Sequence, residues 1–292
     1  MVKYTLLNIL LFSAFLLPYT AAEAQEVHEP AVTNAEWTKP FEPFRIAGNL
    51  YYVGTYDLAC YLIVSRSGNI LINTGLAASA SQIEKNIADL GFKFSDTKIL
   101  LTTQAHYDHL GAMAEIKKKT GAKLMVDEKD AAVIADGGSS DYAFGGQGAT
   151  FEPVKADRLL SDGDSINLGD VHLIMLHHPG HTKGSCSFLY ETKDQQRSYG
   201  ILIANMPTIV TDKDFGQVAG YPGIAADYAY TFESMKKLSY EIWVASHASQ
   251  FKMHDKHKTA KSYTPAAFID RQGYDQSLSE LHKQYEEHLR KH

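Results

Sequence analysis

The sequence predicts an α/β fold of four layers, an αββα sandwich with two β-sheets face to face and helices outside them. Two observations carry that prediction. Short β-rich runs alternate with segments of helical spacing along nearly the whole chain. Both halves also show the same order, strands followed by helix-containing segments, and no tandem repeat of about 20 to 50 residues replaces it.

Taken in order, Gln25 to Thr38 reads as an extended arm. Asn49 to Gly54, Cys60 to Ser65 and Asn69 to Asn73 are short strands separated by turn residues. Ala77 to Leu90 places Ile83, Ile87 and Leu90 at helical spacing, and Lys98 to Thr102 is a buried strand. His109 to Lys119 reads as one helix, stopped at Thr120-Gly121 with three lysines in its last turn. Ala122 to Val126 and a short helix follow. The glycine-rich stretch Gly137 to Gly148 then carries Tyr142 and Phe144, the composition of a lid rather than a plain connector. Strand signals resume at Ser165 to Leu176, Ser185 to Tyr190 and Tyr199 to Ile203. Ala225 to Leu238 is helical, Glu241 to Ser246 is a last strand, and Pro265 to Arg290 has apolar residues at helical intervals.

Composition narrows the function. The chain has 292 residues, 45% of them hydrophobic and 21% charged, with a formal net charge of −6. No basic stripe is available for a nucleic acid or an anionic membrane surface. At the N-terminus, Lys3 precedes an apolar run from Leu6 to Leu17, and Ala22-Glu23-Ala24 offers a peptidase its small residues. That reads as a signal peptide over residues 1–24, cut before Gln25, with a single domain over 25–292. Roughly 12 apolar residues fall short of the ~20 that span a bilayer, and no cysteine near the cut offers a lipid anchor. The mature protein is therefore expected to be soluble, monomeric and periplasmic. Its two cysteines, Cys60 and Cys186, lie in apolar runs and read as buried free thiols, although export permits a bridge.

The chemistry concentrates in Thr103-Gln104-Ala105-His106-Tyr107-Asp108-His109, between an apolar strand and a helix. Two imidazoles and a carboxylate within four residues form a ready metal cluster, because zinc accepts both donor types and a catalytic site needs three protein ligands. His181, in Pro179-Gly180-His181-Thr182-Lys183-Gly184, and His247, in Ser246-His247-Ala248, also stand at strand ends. Among 13 histidines most need no function, and one strand-end histidine is more often structural than a ligand. The three motifs together favour the metal.

These motifs resemble the metallo-β-lactamase superfamily, whose hallmark is H-x-H-x-D-H followed by distant single histidines. The resemblance runs from Trp37 to the C-terminus. The segment from Trp37 to Phe44, leading into Asn49-Leu50-Tyr51-Tyr52-Val53-Gly54, and the loop from Gly137 to Gly145 are similar to subclass B3 enzymes. Gln104 in place of the first motif histidine is similar to the GOB-type enzymes. The resemblance implies a metallo-β-lactamase fold and hydrolysis of β-lactam antibiotics with one or two zinc ions. It implies a first zinc site of Gln104, His106 and His181, and a second of Asp108, His109 and His247. A neutral amide oxygen binds zinc more weakly than imidazole, so the first site is expected to be the poorer and the second to fill first. Zinc brings the pKa of a bound water towards ~7, and Asp108 would be both a ligand and the orienter of the resulting nucleophile. Thr208 or Lys183 would take the substrate carboxylate, and Tyr142 with Phe144 would cover the substrate.

Other readings fare worse. Ser234-Met235-Lys236-Lys237 and Lys119-Thr120-Gly121 stand in the wrong order for a serine β-lactamase, and no S-D-N joins them. Thioesterases and lactonases of the same fold usually carry a metal-bridging aspartate after the strand near Ile203, where this chain has Ala204-Asn205-Met206-Pro207. A non-catalytic zinc-binding protein, with Gln104 marking a decayed site, is opposed by the intact set of Asp108, His109 and His247.

Overall fold

Two sheets form the centre of the computed structural model, which describes residues 1–2, 26–259 and 262–290. The expected signal peptide and the cut expected before Gln25 fall outside the described residues. The first sheet has seven strands in chain order: β1 (Phe44–Ala47), β2 (Leu50–Tyr52), β3 (Tyr61–Ser65), β4 (Gly68–Ile72), β5 (Thr97–Leu101), β6 (Lys123–Asp127) and β7 (Arg158–Leu160). Pairing is antiparallel from β1 to β4 and parallel from β4 to β7. The second sheet contains β8 (Ser165–Leu168), β9 (Val171–His177), β10 (Cys186–Lys193), β11 (Ser198–Ala204) and β12 (Ile242–Ala245), in the order β12-β11-β10-β9-β8. Only β11 and β12 pair parallel in that sheet.

Alternation along the strands builds the layers. In β5, Ile99 and Leu101 join the core between the sheets, whereas Leu100 joins the core beneath the outer helices. The same split holds in β3, with Tyr61 and Ile63 inward and Leu62 outward. Helices α1 (Ala80–Asp89) and α3 (Met113–Thr120) cover the first sheet through Ile83, Ile87, Met113 and Ile116. Helices α4 (Ile224–Met235) and α5 (Arg271–Arg290) cover the second through Tyr228, Phe232, Tyr274 and Leu278. This is the four-layer sandwich the sequence predicted. Each large apolar side chain so buried is worth about 1.5–3 kcal/mol.

Two expectations need correction. The helix expected over His109 to Lys119 is two, α2 (Tyr107–Leu110) and α3, with a break at Gly111. Its N–H donates to the Gly75 carbonyl at 2.8 Å, and a Cβ there would lie 2.3–2.4 Å from the Leu76–Ala77 backbone. That contact pins the turn carrying the His-Asp-His cluster against the end of β4. The Ser165 to Leu176 run is likewise two strands, folded into a hairpin at Gly169, whose φ is +58°. Both cysteines are free and buried. Among the described residues no helix is long and apolar enough to cross a membrane.

Candidate metal centre

All the singled-out histidines stand where a strand stops. β5 ends at Leu101 and releases Gln104, His106, Asp108 and His109; β12 ends at Ala245, two residues before His247; the turn from β9 to β10 carries His181. One residue ties these ends together. The Thr103 hydroxyl lies 2.9 Å from that of Ser246, and the Thr103 carbonyl accepts the Asn205 Nδ2–H and the Cys186 N–H, each at 2.9 Å. Asn73 closes the set from β4, accepting the Thr103 N–H at 2.9 Å. It does so with a φ of 62°, the left-handed region that asparagine tolerates better than most residues. Composition and periodicity gave no sign of this junction.

Asp108, His109 and His247 offer ligand atoms within 4.8 Å of one another. Asp108 Oδ2 is 3.2 Å from His109 Nε2 and 3.4 Å from His247 Nε2. Two donors about 2.0–2.1 Å from one tetrahedral zinc would stand about 3.3 Å apart, so the set fits zinc. His109 is fully buried; its Nδ1 has no hydrogen-bond partner among the described residues, and its Nε2 faces Asp108 without a formed hydrogen bond. A buried donor–acceptor left so is costly unless a ligand completes it. Burial also holds His109 below its ordinary imidazole pKa, which favours the neutral form that binds metal. Burial works against the Asp108 charge, but the two neighbouring imidazoles hold its carboxyl well below the usual range.

The second cluster is His106 and His181, with Nδ1 and Nε2 facing each other at 3.1 Å, again near a shared-metal spacing. Gln104 is buried two residues earlier on the same turn. Burial and then His106 push His181 down to about 3, so its imidazole is neutral.

Residues behind the clusters were not legible in the sequence. Asp57 Oδ2 lies 3.2 Å from His247 Nδ1 and accepts the Trp37 indole N–H at 3.1 Å, while its Oδ1 accepts the Ser249 N–H at 2.9 Å. Burial opposes the Asp57 charge, yet His247 and Ser249 bring the carboxyl to about 2. Burial likewise disfavours charge on His247, but Asp108 and Asp57 on its two sides raise it to about 9. Asp130 accepts from the Thr182 hydroxyl at 2.6 Å and the Gly184 N–H at 2.7 Å, fixing the turn that bears His181.

The substrate-side residues are placed as follows. The Thr208 hydroxyl is 3.0 Å from His181 Nδ1 and its carbonyl 2.8 Å, so Thr208 braces that histidine. Lys183 is half-buried, with its ammonium 5.7 Å from the Tyr221 ring centre. Tyr142 is half-buried and donates to the His181 carbonyl at 3.0 Å. Phe144 is 38% exposed, with its ring edge-on to His106 at 4.8 Å. The arm docks beside this loop, since His28 N–H donates to the Ala149 carbonyl at 2.7 Å. At the position of the expected bridging aspartate, Asn205 is buried and turned to Thr103, and Met206 is fully buried.

Comparison with known proteins agrees with this geometry. A family model described as the metallo-β-lactamase superfamily matches residues 54–194. The chain is 72% identical to the class B3 di-zinc metallo-β-lactamase LRA-12 from an Alaskan soil metagenome, with a TM-score of 0.89 over 90% of this chain and 100% of that one. It is 57% identical to the metallo-β-lactamase GOB-18 from Elizabethkingia meningoseptica, with a TM-score of 0.91 over 92% and 100%. Curated relatives are more distant. YqgX of Bacillus subtilis is 27% identical over 143 residues, 49% of this chain and 64% of that one. A hydroxyacylglutathione hydrolase from Bradyrhizobium is 27% identical over 143 residues, 46% of this chain and 48% of that one. The chain thus spans less than two thirds of the length of these two curated relatives.

Proposed function

Because this chain belongs to the metallo-β-lactamase superfamily, we propose that it is a zinc β-lactamase of subclass B3, opening the lactam ring of penicillins, cephalosporins and carbapenems. One observation carries the proposal. On one turn His106 faces His181, and Asp108 with His109 meets His247, in a chain 72% identical to a B3 lactamase over nearly its full length. Gln104, His106 and His181 would hold one zinc, and Asp108, His109 and His247 the other.

Bound zinc supplies a Lewis acid and brings the pKa of water near neutrality. Asp108, ionised between two imidazoles, orients the attacking water towards the lactam carbonyl. His109 and His247 keep that carboxylate fixed, and Asp57 keeps His247 in one ring orientation. Lys183 and Thr208 flank His181, where either can meet the substrate carboxylate. Phe144, partly exposed above His106, covers the bound ring and limits water. No side-chain nucleophile is required. The mature protein works as a monomer in the periplasm, after cleavage before Gln25.

A thioesterase reading has the hydroxyacylglutathione hydrolase relative in its favour. Asn205, bonded to Thr103 where that reading needs a bridging carboxylate, weighs against it. Hydrolysis of nitrocefin and a carbapenem by the purified protein, before and after chelation, decides between them. Turnover lost with the metal and regained with zinc is the expected result. Bound zinc without lactam turnover, together with thioester cleavage, would overturn it.

A further inference from the structure

The loop from Gly137 to Gly148 touches both histidines of the first donor set from behind. Asp141 Oδ2 lies 3.5 Å from His106 Nε2, with both side chains almost fully buried. Its other oxygen accepts the Ala143 N–H at 2.9 Å and the Phe144 N–H at 2.7 Å, so the loop's own turn fixes the carboxylate. Tyr142 donates to the carbonyls of His181 at 3.0 Å and Gly180 at 3.3 Å. His106 presents Nδ1 to His181, which leaves Nε2 as the buried nitrogen aimed at Asp141 and without a formed hydrogen bond. A histidine that gives one nitrogen to a metal must carry its proton on the other, and a carboxylate facing that proton raises the donor strength of the ring.

We propose that the 137–148 loop is a metal-retention element for the first zinc site, with Asp141 and Tyr142 as positioning residues that hold His106 and His181 in ligating geometry. The proposal rests on reading Gln104, His106 and His181 as a zinc site. It gives the loop a task beyond covering substrate. The amide of Gln104 is a weak ligand, so the support behind the two imidazoles decides how much of that site is filled. Coupling is reciprocal: a loop that tightens zinc binding is itself held by zinc.

The test is a zinc titration of the purified protein against a chromophoric chelator, carried to saturation, for the native sequence, Asp141→Asn, Tyr142→Phe and Gln104→Ala. Asp141→Asn is expected to weaken one zinc equivalent about 10- to 100-fold and leave the tighter one unchanged. Tyr142→Phe is expected to weaken the same equivalent several-fold. Amide exchange on the native protein needs no variant: filling the second equivalent should slow exchange across residues 139–146. Unaltered affinities in Asp141→Asn, equal weakening of both equivalents, or loop exchange indifferent to zinc would each overturn the proposal. Gln104→Ala with both equivalents at native affinity, or a native protein that saturates at one, would instead overturn the first-site reading on which it stands.

Discussion

The two donor sets share the turn from Gln104 to His109 but are supported by different parts of the molecule. Asp108, His109 and His247 are backed by buried residues of short connections, Asp57 and Thr74. Asp57 holds His247, Trp37 and Ser249 hold Asp57, and the His109 carbonyl takes the Thr74 N–H at 2.8 Å. His106 and His181 are backed by loops, through Asp141, Tyr142 and Thr208. A set fixed by short, buried connections keeps its geometry whenever the protein is folded, whereas a set fixed by a long glycine-rich loop keeps it only while that loop is in place. The difference teaches that ligand identity and ligand support point the same way here. Gln104, the weak donor of the proposed first site, goes with the set supported from the longer loop.

The comparison can be broken most severely at Asp108. Asp108→Ala should lower kcat/KM for nitrocefin on the order of 10³-fold and remove the tighter zinc equivalent. Loss of the weaker equivalent alone would invert the assignment. A second expectation concerns His178, three residues before His181, buried with its Nδ1 2.7 Å from the Ser187 hydroxyl. Burial, then His177, pushes it down to about 3. The folded pKa is thus below the unfolded value near ~6.5, so the stabilisation is fully present above that value and lost as pH falls towards 3. Denaturant unfolding of the metal-free protein should weaken over that window by a few kcal/mol, and His178→Gln should flatten the slope.

Asp57→Asn should cost the tighter equivalent about 10- to 100-fold in affinity while sparing the other. Spectrophotometric competition reads this directly, and an effect on the weaker equivalent would show the two supports to be shared. Gln104→His is expected to act oppositely, tightening the weaker equivalent about tenfold, or ~1.4 kcal/mol. Smallest of all, Phe144→Ala should raise KM a few-fold with kcat nearly unchanged, because a partly exposed ring contributes binding more than chemistry.

Much of this was legible in the chain because it is local. The strand-end placement of the Gln104 to His109 turn follows from an apolar run meeting polar donors, and the four layers follow from periods of 2 and 3.6. Strand β7 was missed because three residues at a sheet edge carry no usable period. The break at Gly111 was missed because its cause is the backbone of Leu76 and Ala77, more than 30 residues away. Asp57, Asn73 and Asp141 were missed for the same reason: an aspartate or asparagine in a loop looks alike whether it faces water or a histidine.

The sequence by itself determined the donor types and their order, since these depend on side-chain chemistry and local spacing. Only the tertiary structure decided which donors meet and what stands behind each. Those contacts join residues 27 to 190 positions apart, from Thr208 with His181 to Asp57 with His247, and come into range only when the two sheets pack and Thr103 locks their strand ends together.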